Sequence, residues 1–228
     1  MKAEEILKKL KSLADPKAVA GMARFGINPE KTYGVSIPNL RKLAKEIGKD
    51  HLLAQQLWHS GIHEAKILAS MIDDPKMVSE KQMEKWVKDF DSWDVCDQVC
   101  MNLFEKVPLV SKKINDWSKR KEEFVKRTAY ALMACLAWHH QKAPDSFFIK
   151  FLLLIKKGAT DERNFVKKAV NWALRNIGKR NLALNKKAIA VAQEIQKIDS
   201  KSARWIAGDA LRELTSEAVQ KRLLAKKA

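Results

Sequence analysis

Trp93 and Asp97 stand four residues apart in the stretch Phe90-Asp-Ser-Trp-Asp-Val-Cys-Asp-Gln98. On a helix that spacing puts an indole and a carboxylate on one face, one turn apart. An electron-rich ring and an anion side by side can meet a positive charge that develops during a reaction. The acidic cluster stands out because the rest of the chain is basic. Lys and Arg number 44 against 27 Asp and Glu, a formal charge of +17 over 228 residues. That excess points to a polyanionic partner, with nucleic acid first.

The positive charge is spread along the chain rather than gathered in a tail, so a folded basic surface is expected. The three cysteines, Cys96, Cys100 and Cys135, are odd in number and form no Cys-x-x-Cys pair. A disulfide framework is not expected, and a reducing cytoplasm fits. Cys96 and Cys100 lie one helical turn apart and read as small buried hydrophobes. Met1 leads into a charged amphipathic segment without an apolar signal region. The longest apolar run, Phe147 to Ile155, is broken by Lys150 and is too short to span a bilayer. No membrane association is expected.

The elements that must position these residues read as helices throughout. Ile6, Leu7, Leu10 and Leu13 form one stripe at helical spacing. Pro38 marks a helix entry, Leu40, Leu43, Ala44 and Ile47 its apolar face, and Gly48 its stop. No convincing strand pattern occurs. The segments His63–Ile72, Val95–Phe104, Lys126–Met133, Lys167–Arg175 and Ala203–Leu214 resemble one another. Glu64, Cys96, Arg127, Lys168 and Arg204 recur in them at steps of 32, 31, 41 and 36 residues. Those periods suit stacked helix pairs of the HEAT and armadillo kind, although an ordinary bundle of amphipathic helices stays an alternative. Lys126, Arg127, Lys167, Lys168 and Arg204 would then line one edge at helix starts, where phosphates bind readily.

Three motifs carry a family resemblance, from about Phe25 to Leu214. They are Trp93-Asp94-Val95-Cys96-Asp97, Lys126-Arg127-Thr128-Ala129, and Lys168-Ala169-Val170-Asn171-Trp172-Ala173-Leu174-Arg175. In this order they resemble the bacterial AlkD-type DNA alkylation repair glycosylases. The resemblance implies an all-α, right-handed superhelical solenoid of HEAT-like antiparallel helix pairs with a concave basic cleft, as one domain over 1–228. It implies Asp97, Trp93 and Trp172 as catalytic residues and Arg127 near the DNA backbone. Lys126, Lys167, Lys168, Arg175 and Arg204 complete the expected DNA contacts. Phe25 falls where the family often has a tyrosine near the cleft.

The implied activity is hydrolysis of the N-glycosidic bond of cationic alkylpurines, such as 3-methyladenine and 7-methylguanine, in duplex DNA without base flipping. An alkylated purine already carries positive charge and leaves readily, and the transition state is oxocarbenium-like. Trp93 and Trp172 would stabilise the cation, and Asp97 would add a negative charge and position or deprotonate water. No lysine is placed by motif for a Schiff base. Neither cofactor nor metal is expected: His139-His140 with Cys135, and His59, His63 and Glu64, match no standard metal spacing. The partner would be alkylated duplex DNA, bound by a monomer at the nucleoid. Two rival readings are a binding protein of the same fold that has lost chemistry, for DNA or RNA, and a scaffold for an acidic protein. Trp58, Trp86, Trp117, Trp138 and Trp205 read as packing residues, with Trp205 at a cleft-side register.

Overall fold

The computed structural model describes residues 1–225, and among these every regular element is helical. Local chemistry sets many of the helix starts. Side-chain oxygens of Asp15, Asp50, Ser79, Asn181 and Ser200 accept backbone N–H groups of the first turn of the helices that follow them. Gly48, at φ 77°, stops the helix Ile37–Ile47, as Pro38 and Gly48 led one to expect. The initial stripe is shorter than its spacing suggested. Its helix is Ala3–Ser12, with Ile6 and Leu10 buried, and Leu13 is exposed just beyond it.

The helices pack as two compact units, Met1–Leu109 and the described residues from Val110 onward. The first contains α1 (Ala3–Ser12), α2 (Pro16–Ala23), α3 (Ile37–Ile47), α4 (His51–His59), α5 (His63–Ile72), α6 (Glu80–Lys88) and α7 (Trp93–Asn102). The second contains α8 (Val110–Trp117), α9 (Glu123–His139), α10 (Asp145–Gly158), α11 (Asn164–Gly178), α12 (Leu182–Gln196), α13 (Lys201–Leu214) and α14 (Glu217–Ala225). The five similar segments of the sequence are α5, α7, α9, α11 and α13. Helices pair as α4 with α5, α8 with α9, α10 with α11 and α12 with α13. The second members also pack on one another, α5 on α7, α9 on α11 and α11 on α13. This is the all-α, HEAT-like pattern of stacked helix pairs.

Small residues make the second layer possible. Ala129, Ala131 and Ala134 of α9, Ala169 and Ala173 of α11, and Ala203, Ala207 and Ala210 of α13 are all fully buried. Without side chains to interpose, helix backbones approach closely. Gly158 is one such contact: a Cβ there would overlap the Tyr130 phenol. Among the described residues no helix is long and apolar enough to cross a membrane.

Candidate functional site

In the first unit α7 begins at Trp93, so Trp93 and Asp97 do lie one turn apart on a helix. Asp97 is 9% exposed and Trp93 is half-buried. The indole Nε1 of Trp93 donates to the main-chain carbonyl of Phe25 at 3.1 Å, just past α2. Phe25 itself is 69% exposed. Phe25, which the resemblance put near the cleft, meets Trp93 through its backbone. A tyrosine hydroxyl is not required for it.

Buried polar groups hold the approach to α7. On α5, His63, Glu64 and Lys66 point into the unit instead of to water. Lys66 Nζ donates to the Asp89 carbonyl at 2.9 Å and reaches Asp91 at 3.4 Å. Trp58 Nε1 donates to the Asp89 carboxylate at 3.0 Å while its ring stacks on Trp86 at 3.9 Å. The turn that leads into Trp93 is therefore pinned from two sides. His63 Nε2 meets the Asp94 carboxylate at 2.8 Å, in the first turn of α7. Burial works against both charged forms. The pairing overrides it, holding Asp94 below the usual carboxylate range and His63 above the usual imidazole range.

Glu64 performs a parallel task. Its carboxylate accepts the backbone N–H groups of Tyr33, Gly34 and Val35 at 2.6–3.2 Å. Gly34, at φ 79°, is required there, because a Cβ would run into the Asp15 carbonyl. The His63-Glu64 pair is thus a structural brace. Its signal in the sequence was three ionisable residues on a helix otherwise free of charge, since buried charges must be paired. Asp94 is likewise structural, while Ser92 at the N-cap makes no side-chain cap bond.

In the second unit the expected basic helix starts are present on α9, α11 and α13. Most are engaged locally. Lys126 pairs with Asp161 at 2.8 Å, and Arg163 pairs with the same carboxylate at 2.7 Å. Those two cations outweigh burial and hold Asp161 well below the usual carboxylate range. Arg163 also donates to the Lys121 carbonyl, and Ser202 Oγ to the Asp161 carbonyl, at 2.6 and 2.8 Å. The N-terminal ends of α9, α11 and α13 are thereby laced together. Arg127 is only 5% exposed and donates to the Phe165 carbonyl at 2.6 Å. Lys167 Nζ sits 5.1 Å from the Trp205 ring centroid, and Arg204 pairs with Asp199 at 2.9 Å. Lys168 is exposed.

Farther along α11, Arg175 is held by Asp209 at 2.8 Å and Glu213 at 2.7 Å. Trp172 is half-buried among fully buried Ala169, Val170 and Ala173, and it lines a pocket of about 480 Å³. Two tryptophans read as packing residues are not. Trp138 is 61% exposed and Trp205 is 43% exposed, whereas Trp58, Trp86 and Trp117 are buried. The apolar neighbours of Trp138 along α9 misled the reading, because it lies at the last turn, where the helix leaves the core.

The family model described as DNA alkylation repair enzyme matches residues 6–214. The chain belongs to this family. The match spans both units and all three motifs. No curated protein matches the chain. Among solved structures, one described as a new family of proteins related to the HEAT-like repeat DNA glycosylases with affinity for branched DNA structures superposes with a TM-score of 0.82. The two chains share 20% identity over 98% of this chain and 96% of the other. At that identity the likeness shows the HEAT-like fold. A designed armadillo repeat protein in complex with the peptide (KR)4 gives a TM-score of 0.34 at 17% identity, covering 82% of this chain and 89% of that one, too low to bear on the fold.

Proposed function

We propose that this member of the DNA alkylation repair family is a monofunctional DNA glycosylase that releases cationic alkylpurines from duplex DNA. The observation that carries the reading is the Trp93–Asp97 pair, presented one turn apart at the start of α7 and anchored by buried polar groups. Anchoring of that kind suits an electrostatic catalyst, which acts through charges already in position. Asp97 stabilises the oxocarbenium-like transition state and orients or deprotonates the attacking water. The Trp93 indole faces the cation. Trp172 matches the family's second cleft tryptophan by motif alone. The N-glycosidic bond breaks with its electrons passing to the purine, whose positive charge is neutralised. Water adds to the sugar and gives up a proton to Asp97.

Phosphates are held by Lys167 and Lys168. Lys126, Arg127, Arg175 and Arg204, each engaged within the second unit, contribute positive potential behind them. The lesion is read without flipping into a pocket, and no cofactor takes part. The protein acts as a monomer.

The test is release of free 3-methyladenine or 7-methylguanine from methylated duplex DNA by wild type and by Asp97→Asn. Release by wild type with a large loss in the variant supports the proposal. DNA binding by both proteins without release of base would replace it with the binding-only reading, for which the branched-DNA affinity of the structural neighbour is a precedent.

A further inference from the structure

We infer that the pocket of the second unit binds one unpaired nucleotide of a DNA strand, an assignment that rests on the DNA-binding part of the reading above. The pocket is lined by Trp138, Trp172, Gln141 and Asn176, with Lys179, Arg180 and Arg222. Two indoles and three cations meet there with no carboxylate in the wall. Its volume of about 480 Å³ falls within the range of small-ligand sites, ~300–1,000 Å³.

Each wall has a distinct role. Trp138 exposes 61% of its surface at the end of a helix that is otherwise buried almost throughout. An indole left in water at a pocket rim is a stacking platform, since every base offers a π-face. Arg180 is committed to structure: its guanidinium donates to the carbonyls of Ala137 and His140 at 2.7 and 3.2 Å and covers the Phe148 ring at 3.9 Å. It thereby neutralises the negative C-terminal end of α9, which would otherwise repel an anion. Lys179 is shared with Glu213 at 2.8 Å. Arg222, on α14, is exposed and pairs with no carboxylate among the described residues. Trp138 stacks on its neighbour His139 with ring centroids 5.0 Å apart and remains largely exposed, so a base can stack at Trp138 with its phosphate at Arg222.

A base paired in a duplex keeps both faces stacked on its neighbours and cannot enter such a pocket. The occupant is therefore an unpaired nucleotide, as in the arm of a fork or flap. The chemistry would also admit a free nucleotide, and the experiment separates the two.

The full chain is titrated with a forked duplex carrying an unpaired oligo-dA arm, with the matching blunt duplex, and with dAMP. Wild type binds the fork at least roughly fivefold tighter than the blunt duplex, the scale of one stacked base. Trp138→Ala and Arg222→Gln each bring fork affinity down to that of the blunt duplex. Trp138 is mostly exposed, so its truncation leaves the core intact, and Arg222→Gln provides an independent check. Both variants release methylated bases from blunt duplex at the wild-type rate. Equal affinity of wild type for fork and blunt duplex, or a preference that survives both substitutions, overturns the inference. So does dAMP binding as tightly as the arm, which would make the pocket a site for a free nucleotide. Base release failing while the fork preference holds would sink the glycosylase reading alone.

Discussion

The two units carry their candidate residues in opposite ways. In the first, Trp93 and Asp97 sit on a helix start braced by buried groups: His63 on Asp94, and Lys66 and Trp58 on Asp89. In the second, the cations at the helix starts are largely spent on one another's helices, and only a few side chains remain available to a ligand. The difference teaches that burial was used where geometry matters and exposure where attraction suffices. A reacting group must be held within a fraction of an ångström, and buried polar partners do that. A phosphate contact tolerates slack, because attraction between charges falls off slowly with distance.

The comparison can be broken at its most sensitive point first. Asp97→Asn should lower base release by about 10²–10³-fold, the scale of removing one pre-positioned electrostatic group, with DNA affinity changed far less. A fall in binding as large as the fall in release would return Asp97 to a structural role.

Next comes the brace. His63→Gln leaves the Asp94 carboxylate without its charged partner and should destabilise the protein by about 3 kcal/mol in urea denaturation near pH 5. The pH dependence follows from the directions of the two shifts. Asp94, held low, contributes above its ordinary value of 3.8 and loses that contribution as the medium turns more acidic. His63, held high, contributes below its ordinary value of 6.5 and loses that contribution as pH rises through its raised value. The gap between wild type and variant is therefore widest between those values and narrows at pH 9. A gap that stays constant from pH 5 to 9 contradicts the ion pair.

Packing in the second unit gives a smaller effect. Gly158→Ala forces a methyl against Tyr130 and should lower stability by about 2 kcal/mol. An unchanged melting temperature would mean that α9 and α10 separate easily there. Smaller still, Lys168→Ala should reduce the slope of log affinity against log salt by about 0.9 for duplex DNA. A slope identical to wild type removes Lys168 from the phosphate contacts. Phe25→Tyr should alter stability and base release least, within about 0.5 kcal/mol, because Trp93 uses only the carbonyl at that position.

Much of this was legible in residue order. The period of apolar residues marked α5 and α13 closely and fell inside the longer α9 and α11, because helix formation follows a local 3.6-residue rhythm that each segment carries in itself. The spacing of Trp93 and Asp97 was legible for the same reason. Segment and site lie within one helix, and the three motifs that tie the chain to its family are each contiguous.

The partners were not legible. Nothing about His63 foretold Asp94, 31 residues on, or about Lys126 that it would meet Asp161, 35 residues on. The exposure of Trp138 was equally hidden, since its neighbours in sequence are core residues and only the end of α9 decides which way it faces water. Residue types, helical rhythm and net charge are properties of the chain, and they determined the helix-pair class and the candidate residues. Which charges are buried, which cations are already paired and which indoles remain open depend on contacts between helices distant in sequence, so only the tertiary structure decided them.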